Sequence, residues 1–307
     1  MISPRTHSSL NRGKATAALP LDERLERGEL VVFERCPFAL PEGRDLQFLL
    51  SRNVTVAKNI SFYPDTSRID GHPATQPDED TRLAGLLREF HQNATNWLSR
   101  VLPRYHAAAR NGPLRFRTEE EEDRPGIELR FSGSALHVDM SSDAPAHGES
   151  FLRIFTNINT VKSREWITSD PLPVLLDRWG DQVRAPGEKR PKFTKRFKLR
   201  FGRALGLEPL KDSPYHQLMS RLHFFGKTDT YLQQQAPKQH WIFPPGSAWL
   251  VFSDLASHAV VRGQYAIDQT YLIPAHAFRN RARSTAAVIE RFWQRRPATL
   301  PGWVLPS

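Results

Sequence analysis

Two short segments of this chain hold residues whose types could act together: His137 and Asp139 in Leu136-His137-Val138-Asp139, and His258 in Ser257-His258-Ala259. Along an extended strand, residues i and i+2 point to one side. An imidazole nitrogen at 137 and a carboxylate oxygen at 139 can therefore converge on one cation. A histidine from a later strand would complete a set of two histidines and one carboxylate, which leaves positions open on an octahedral iron for a co-substrate and O₂. His258 suits that part. It opens an apolar strand after the run Ala248–Phe252 and the turn Pro244-Pro245-Gly246, where a lone imidazole needs a polar partner. His-x-Asp is a common spacing, so on its own it leaves a metal pair and ordinary polar residues both open. His72, His91, His106 and His147 read as surface or packing residues, as do His216 and His223 on the helix Pro214–Lys227 and His240 at the end of a charged loop.

The elements that must carry these residues are mostly strands. Phe116, Leu129-Arg130-Phe131, Leu136–Asp139, Phe151–Ile158, Trp241–Phe243, Ala248–Phe252, His258–Val261 and Gln269–Ile273 are short runs rich in β-branched and aromatic residues. Gly, Pro, Ser and Asp separate them, which is the pattern of a sandwich or barrel. Before them, Leu21–Glu29 reads as a short helix and Leu30–Phe33 as a first strand. Asp80–Tyr105 is the clearest helix: Leu83, Leu86, Leu87, Phe90, Ala94, Trp97, Leu98 and Val101 recur at three and four residues, and Pro103 marks its end. The expectation is a mainly β fold, 21–307 as a single domain, buttressed by helices and interrupted by a basic helical insertion at about 163–235.

The 307 residues are 39% hydrophobic and 25% charged, which excludes fibrous and disordered classes. A single cysteine, Cys36, excludes a disulfide framework and fits a reducing compartment. No apolar run is long enough to span a membrane, and residues 1–20 lack the core of a secretory signal and read as a disordered leader. With 43 Lys and Arg against 33 Asp and Glu, the formal charge is +10. Much of it is local. Arg184–Arg203 carries nine basic residues, Lys195 and Arg196 among them, against Glu188 alone, with Phe193, Phe197 and Phe201 every fourth residue. Such a block suits phosphates or anionic lipid. No nucleic-acid-binding motif accompanies it, so nucleic acid is not the expected partner.

The segment Leu136–Asp139, followed by Gly148 and Arg153-Ile154-Phe155-Thr156-Asn157-Ile158-Asn159, closely resembles the Kdo 3-hydroxylase family. These are iron(II)/2-oxoglutarate dioxygenases acting on 3-deoxy-D-manno-oct-2-ulosonic acid (Kdo) of the lipopolysaccharide inner core. Lys58-Asn59-Ile60-Ser61, Phe243-Pro244-Pro245-Gly246-Ser247, Ser257-His258-Ala259, Gly263-Gln264-Tyr265-Ala266 and Gln269-Thr270 are similar to the same family, in order, over about Leu25 to Pro274. The chain departs from it around Ser163–Thr168 and at Met140-Ser141-Ser142, which bears on the acceptor.

The resemblance implies a double-stranded β-helix, a cupin-like jelly roll, with His137, Asp139 and His258 as Fe(II) ligands and O₂ as co-substrate. The distal carboxylate of 2-oxoglutarate asks for a buried, preferably bidentate cation, so Arg outranks Lys. Arg130 and Arg153 are the leading candidates, with Arg262 and Gln269 behind them. The acceptor would be an anionic, lipid-linked sugar, hydroxylated at C3 with release of succinate and CO₂. Lys195, Arg196, His223 and Lys227 are the residues expected to meet it. The resemblance places the protein in the cytoplasm, with peripheral contact at the anionic inner face of the membrane as an added expectation; the oligomeric state stays open. Three rival readings stand beside it: a hydroxylase of a protein side chain, a non-redox cupin-like binding protein, and, third, a basic nucleic-acid-binding module.

Overall fold

The computed structural model describes residues 19–54, 59–73, 77–120, 133–140, 148–183 and 214–294. In chain order the strands are β1 (Val31–Phe33), β2 (Ile60–Tyr63), β3 (Arg68–Asp70), β4 (Arg110–Arg117), β5 (Ser150–Asn157), β6 (Arg164–Pro171), β7 (Gln239–Phe243), β8 (Ala248–Phe252), β9 (Ala256–Arg262) and β10 (Ala266–Ile273). The helices are α1 (Leu21–Glu26), α2 (Gly43–Leu50), α3 (Pro77–Val101), α4 (Pro103–Ala108), α5 (Leu172–Val183), α6 (Pro214–Thr228) and α7 (Thr285–Gln294). Seven strands form one antiparallel sheet in the order β1-β8-β5-β10-β4-β2-β3, and three form a second in the order β7-β6-β9. This is the expected mainly β jelly roll with helical additions.

Side-chain alternation divides the large sheet into two faces. Leu114, Phe116, Leu152, Ile154, Ile267 and Tyr271 are buried on the back and join the core that also holds Leu83, Leu87, Phe90, Ala94 and Leu98 of α3. Two hydrogen bonds fasten the helix to β10, His91 Nδ1 with Gln269 Oε1 at 3.0 Å and Thr95 with the Tyr271 hydroxyl at 2.8 Å. The expected helix over 80–105 is two. Pro103 disfavours helical backbone at Leu102, whose φ of −135° breaks the run, and then opens α4 from its first turn.

On the front, Phe155 of β5 meets Trp166 of β6 edge-on at 4.6 Å and stacks with Trp249 of β8 at 5.3 Å. Phe243 of β7 stacks on Trp249 at 3.8 Å. These four aromatic residues join the two sheets. Their burial also corrects the expected insertion. Residues 164–171 lie within 163–235, yet they form β6, the middle strand of the small sheet, with Trp166 opposite both Trp241 and Val260. Arg164, Glu165, Ser169 and Asp170 make that strand polar enough to hide in sequence. The helices begin only at α5. The basic block Arg184–Arg203 lies outside the described residues.

Candidate metal centre

The histidines of the site are joined through their backbones. His137 donates its N–H to the His258 carbonyl at 3.0 Å, and His258 returns the bond at 2.9 Å, an isolated antiparallel bridge. Asp139 is anchored two residues on, its N–H donating to the Ser253 carbonyl at 2.9 Å. Each ring then turns back on its own strand: Nδ1 of His137 meets the Ala135 carbonyl at 2.7 Å, and Nδ1 of His258 meets the Ala256 carbonyl at 3.0 Å. A carbonyl only accepts, so the hydrogen sits on Nδ1 and the lone pair on Nε2. Trp166 stacks on the His258 ring, 5.1 Å between centroids and 16° from parallel.

Asp139 Oδ1 lies 3.5 Å from His137 Nε2 and 3.8 Å from His258 Nε2. One ligand atom from each residue falls within 4.8 Å of the other two. Protonation favours a cation there. Burial pushes His137 down to about 3 and lowers His258 as well, so both rings are neutral. Burial alone would raise the Asp139 carboxyl, but Arg153 and then His258 hold it well below the usual carboxylate range. Two neutral imidazoles and one carboxylate, all buried or nearly so, fit a divalent transition metal of the iron, cobalt or nickel kind.

Arg153 lies behind Asp139. Its Nη1 donates to Asp139 Oδ2 at 2.5 Å, while Nε, at 3.1 Å, and Nη2 both donate to Asp268 Oδ1. Arg117 Nε donates to the other Asp268 oxygen at 2.9 Å. A cavity of about 380 Å³ opens on this group, with Asp139, Arg153 and Arg115 in its wall beside Met140, Phe151 and Leu272. Arg115, on the front face of β4, is half-buried, and desolvation lowers its pKa.

The other expected residues divide. Arg153 is at the site, held between two carboxylates. Gln269 is not: it is one residue from Asp268 and so faces the back of the sheet, where His91 and two backbone carbonyls occupy it. Arg262 is also elsewhere. Its half-exposed guanidinium pairs with Glu165 across the small sheet, beside His240, and it does not line the cavity. His223 of α6 sits against His137, ring centroids 4.8 Å apart, with Nδ1 on the Val138 carbonyl at 2.9 Å. Lys227, one turn on, is buried near Asp139, and burial pulls its pKa down to about 8. Arg130, Lys195 and Arg196 lie outside the described residues.

Sequence reasoning missed Asp268, Arg115 and Arg117. An acid inside the apolar run Ala266–Ile273 is a buried charge and was readable as such. Leu114-Arg115-Phe116-Arg117 alternates like any half-solvated strand, so nothing marks its arginines as inward.

The family model described as 3-deoxy-D-manno-oct-2-ulosonic acid (Kdo) hydroxylase matches residues 11–296. Among solved structures, the chain is similar to the apo form of the Kdo hydroxylase KdoO, described as a non-heme Fe(II) alpha-ketoglutarate-dependent dioxygenase, with 28% identity and a TM-score of 0.75 over 92% of each chain. KdoO with cobalt(II) gives 29% identity and a TM-score of 0.75, and KdoO with alpha-ketoglutarate and Fe(III) gives 29% and 0.74, each over 92% of both chains. No curated protein matches the chain.

Proposed function

Because the chain belongs to the Kdo hydroxylase family, we propose that it is an Fe(II)/2-oxoglutarate-dependent dioxygenase that hydroxylates Kdo, at C3 of a lipid A-linked inner-core sugar. The observation that carries this reading is the meeting of His137, Asp139 and His258 at the wall of an arginine-bearing cavity. His137 and His258, through Nε2, and Asp139, through Oδ1, would hold the metal. Iron bound there supplies the oxidation, in which O₂ and 2-oxoglutarate give succinate and CO₂ and one oxygen atom enters a substrate C–H bond.

The chain's own residues orient and exclude. Arg153 bonds Asp139 and Asp268; Arg115, in the cavity wall beside them, is the guanidinium assigned to the distal carboxylate of 2-oxoglutarate. Met140, Phe151 and Leu272 supply apolar wall, which strengthens every charge interaction beside it. His223 and Lys227 approach the centre from α6 and are assigned to the acidic sugar. No protein nucleophile or general base is needed. Among the described residues no helix is long and apolar enough to cross a membrane, and the basic block Arg184–Arg203 is assigned to peripheral contact with anionic lipid.

Mass spectrometry of lipopolysaccharide from cells with and without the protein tests the substrate. One added oxygen on Kdo is expected, and an unchanged sugar sinks the assignment. Purified protein given Fe(II) and 2-oxoglutarate without oxygen should show a weak visible charge-transfer band that His137→Ala removes. A protein with neither band nor succinate release would instead be the non-redox binding protein.

A further inference from the structure

We propose that Asp268 is a positioning residue for the metal centre, acting through Arg153 to decide which oxygen of Asp139 is offered to the metal. The inference rests on the reading of His137, Asp139 and His258 as ligands. A carboxylate on a short side chain turns easily about its last torsion, and an arginine facing one prefers to take both oxygens in parallel. An unopposed Arg153 would therefore draw both Asp139 oxygens to itself and away from the two Nε2 atoms. It is opposed. Two of its donors, Nε and Nη2, are held by Asp268 Oδ1, which leaves Nη1 alone for Asp139 Oδ2. Oδ1 then stays turned toward the imidazoles, 3.5 and 3.8 Å away.

Asp268 is itself held. It is fully buried in β10, between β4 and β5, and its second oxygen accepts from Arg117. The Arg153 guanidinium also lies over the Phe155 ring, 4.6 Å from its centroid, which limits the directions it can take. The device is a three-member relay, carboxylate to guanidinium to carboxylate, with its fixed end in the middle of the sheet. A plainer role, neutralising buried arginines, would act on stability alone.

Anaerobic titration with Co(II), followed by its ligand-field absorption and without turnover, separates the two. Asp268→Asn should weaken Co(II) binding about 10- to 100-fold in folded protein, the usual effect of losing a group behind a ligand, and should alter the band shape. With Arg153→Met as the background, adding Asp268→Asn should change Co(II) affinity no further, because nothing is left to misdirect. Wild-type affinity in Asp268→Asn overturns the proposal, as does an equal loss in both backgrounds. Should Asp268→Asn fail to fold by circular dichroism, Arg153→Met against Arg153→Met/Asp268→Asn still decides: equal affinities support the relay, unequal ones overturn it. Asp139→Ala reports on the premise. If it binds Co(II) like wild type, the ligand reading falls and the relay with it; if it loses Co(II) while Asp268→Asn does not, the relay alone falls.

Discussion

At the scale of single residues, Arg115 and Arg153 both line the cavity. Arg153 bonds Asp139 and Asp268 and is assigned to the metal centre, and Arg115 is the one assigned to the co-substrate. Arg115→Met should raise the KM for 2-oxoglutarate about 10-fold to 150-fold, the equivalent of roughly 1.5–3 kcal/mol for a hydrogen bond to a charged group, with a smaller change in kcat. Steady-state succinate release measures it, and an unchanged KM moves the role elsewhere. A second buried acid gives a pH prediction. Asp254 accepts from the Phe151 N–H and the Thr285 hydroxyl, yet burial raises its pKa from 3.8 to about 7. A carboxyl raised on folding stabilises fully below its unfolded pKa, and that contribution is lost as pH rises through about 7. Asp254→Asn should therefore gain on wild type by roughly 1.4 kcal/mol per pH unit across that window, read by chemical denaturation. Parallel profiles would refute it. That His137, Asp139 and His258 would meet was legible in sequence from the i, i+2 spacing of the first two and the family resemblance of both segments. Asp268 was legible only as a buried charge, since its role depends on arginines brought in by two other strands.

At the scale of elements, apolar periodicity was a faithful guide wherever an element buries a whole face. The stripe of α3 and the runs of β5, β8 and β10 read correctly, and Pro103 divides α3 from α4 as backbone sterics require. It failed for β6, where more than half the residues are polar and the strand is specified by its neighbours β7 and β9. The β9–β10 connection illustrates how tightly those neighbours fit. Gly263 has φ +128°, a Cβ there would come within 2.7 Å of Arg164, and its carbonyl accepts from Arg164 Nη1 at 2.6 Å. Gly263→Ala should cost roughly 2 kcal/mol or more through strain and displacement of a buried arginine. Thermal or urea unfolding measures this, and a loss below experimental error would show that the turn relaxes.

At the scale of the molecule, the excess of positive charge resolves into two populations. Arg153 is buried and Arg115 and Arg117 are half-buried at the front of the large sheet, around Asp268 and Asp139. The block Arg184–Arg203 is read from sequence, by its charge and its phenylalanine at every fourth residue, and lies outside the described residues. Its assigned partner is anionic lipid, and each basic residue near such a surface is worth about 1 kcal/mol. Lys195→Glu with Arg196→Glu should reduce cosedimentation with vesicles containing anionic lipid about 10-fold or more, in a salt-sensitive manner, while leaving Co(II) titration unchanged. Vesicle binding that ignores the substitutions would remove the membrane from the account.

The paired backbones of His137 and His258 carry one more consequence. The rings of His137 and His258 are set by main-chain bonds and by the carbonyls of Ala135 and Ala256, none of which involves a metal. A metal bound by this trio would therefore meet donors already held by the fold, unlike a finger that collapses around zinc. A receptor built in advance also has no means of refusing a rival, and nitrogen and oxygen donors favour cobalt, nickel, copper and zinc at least as much as iron. Which ion such a site would carry is then a question of supply, left to the cell's own inventory of free metals.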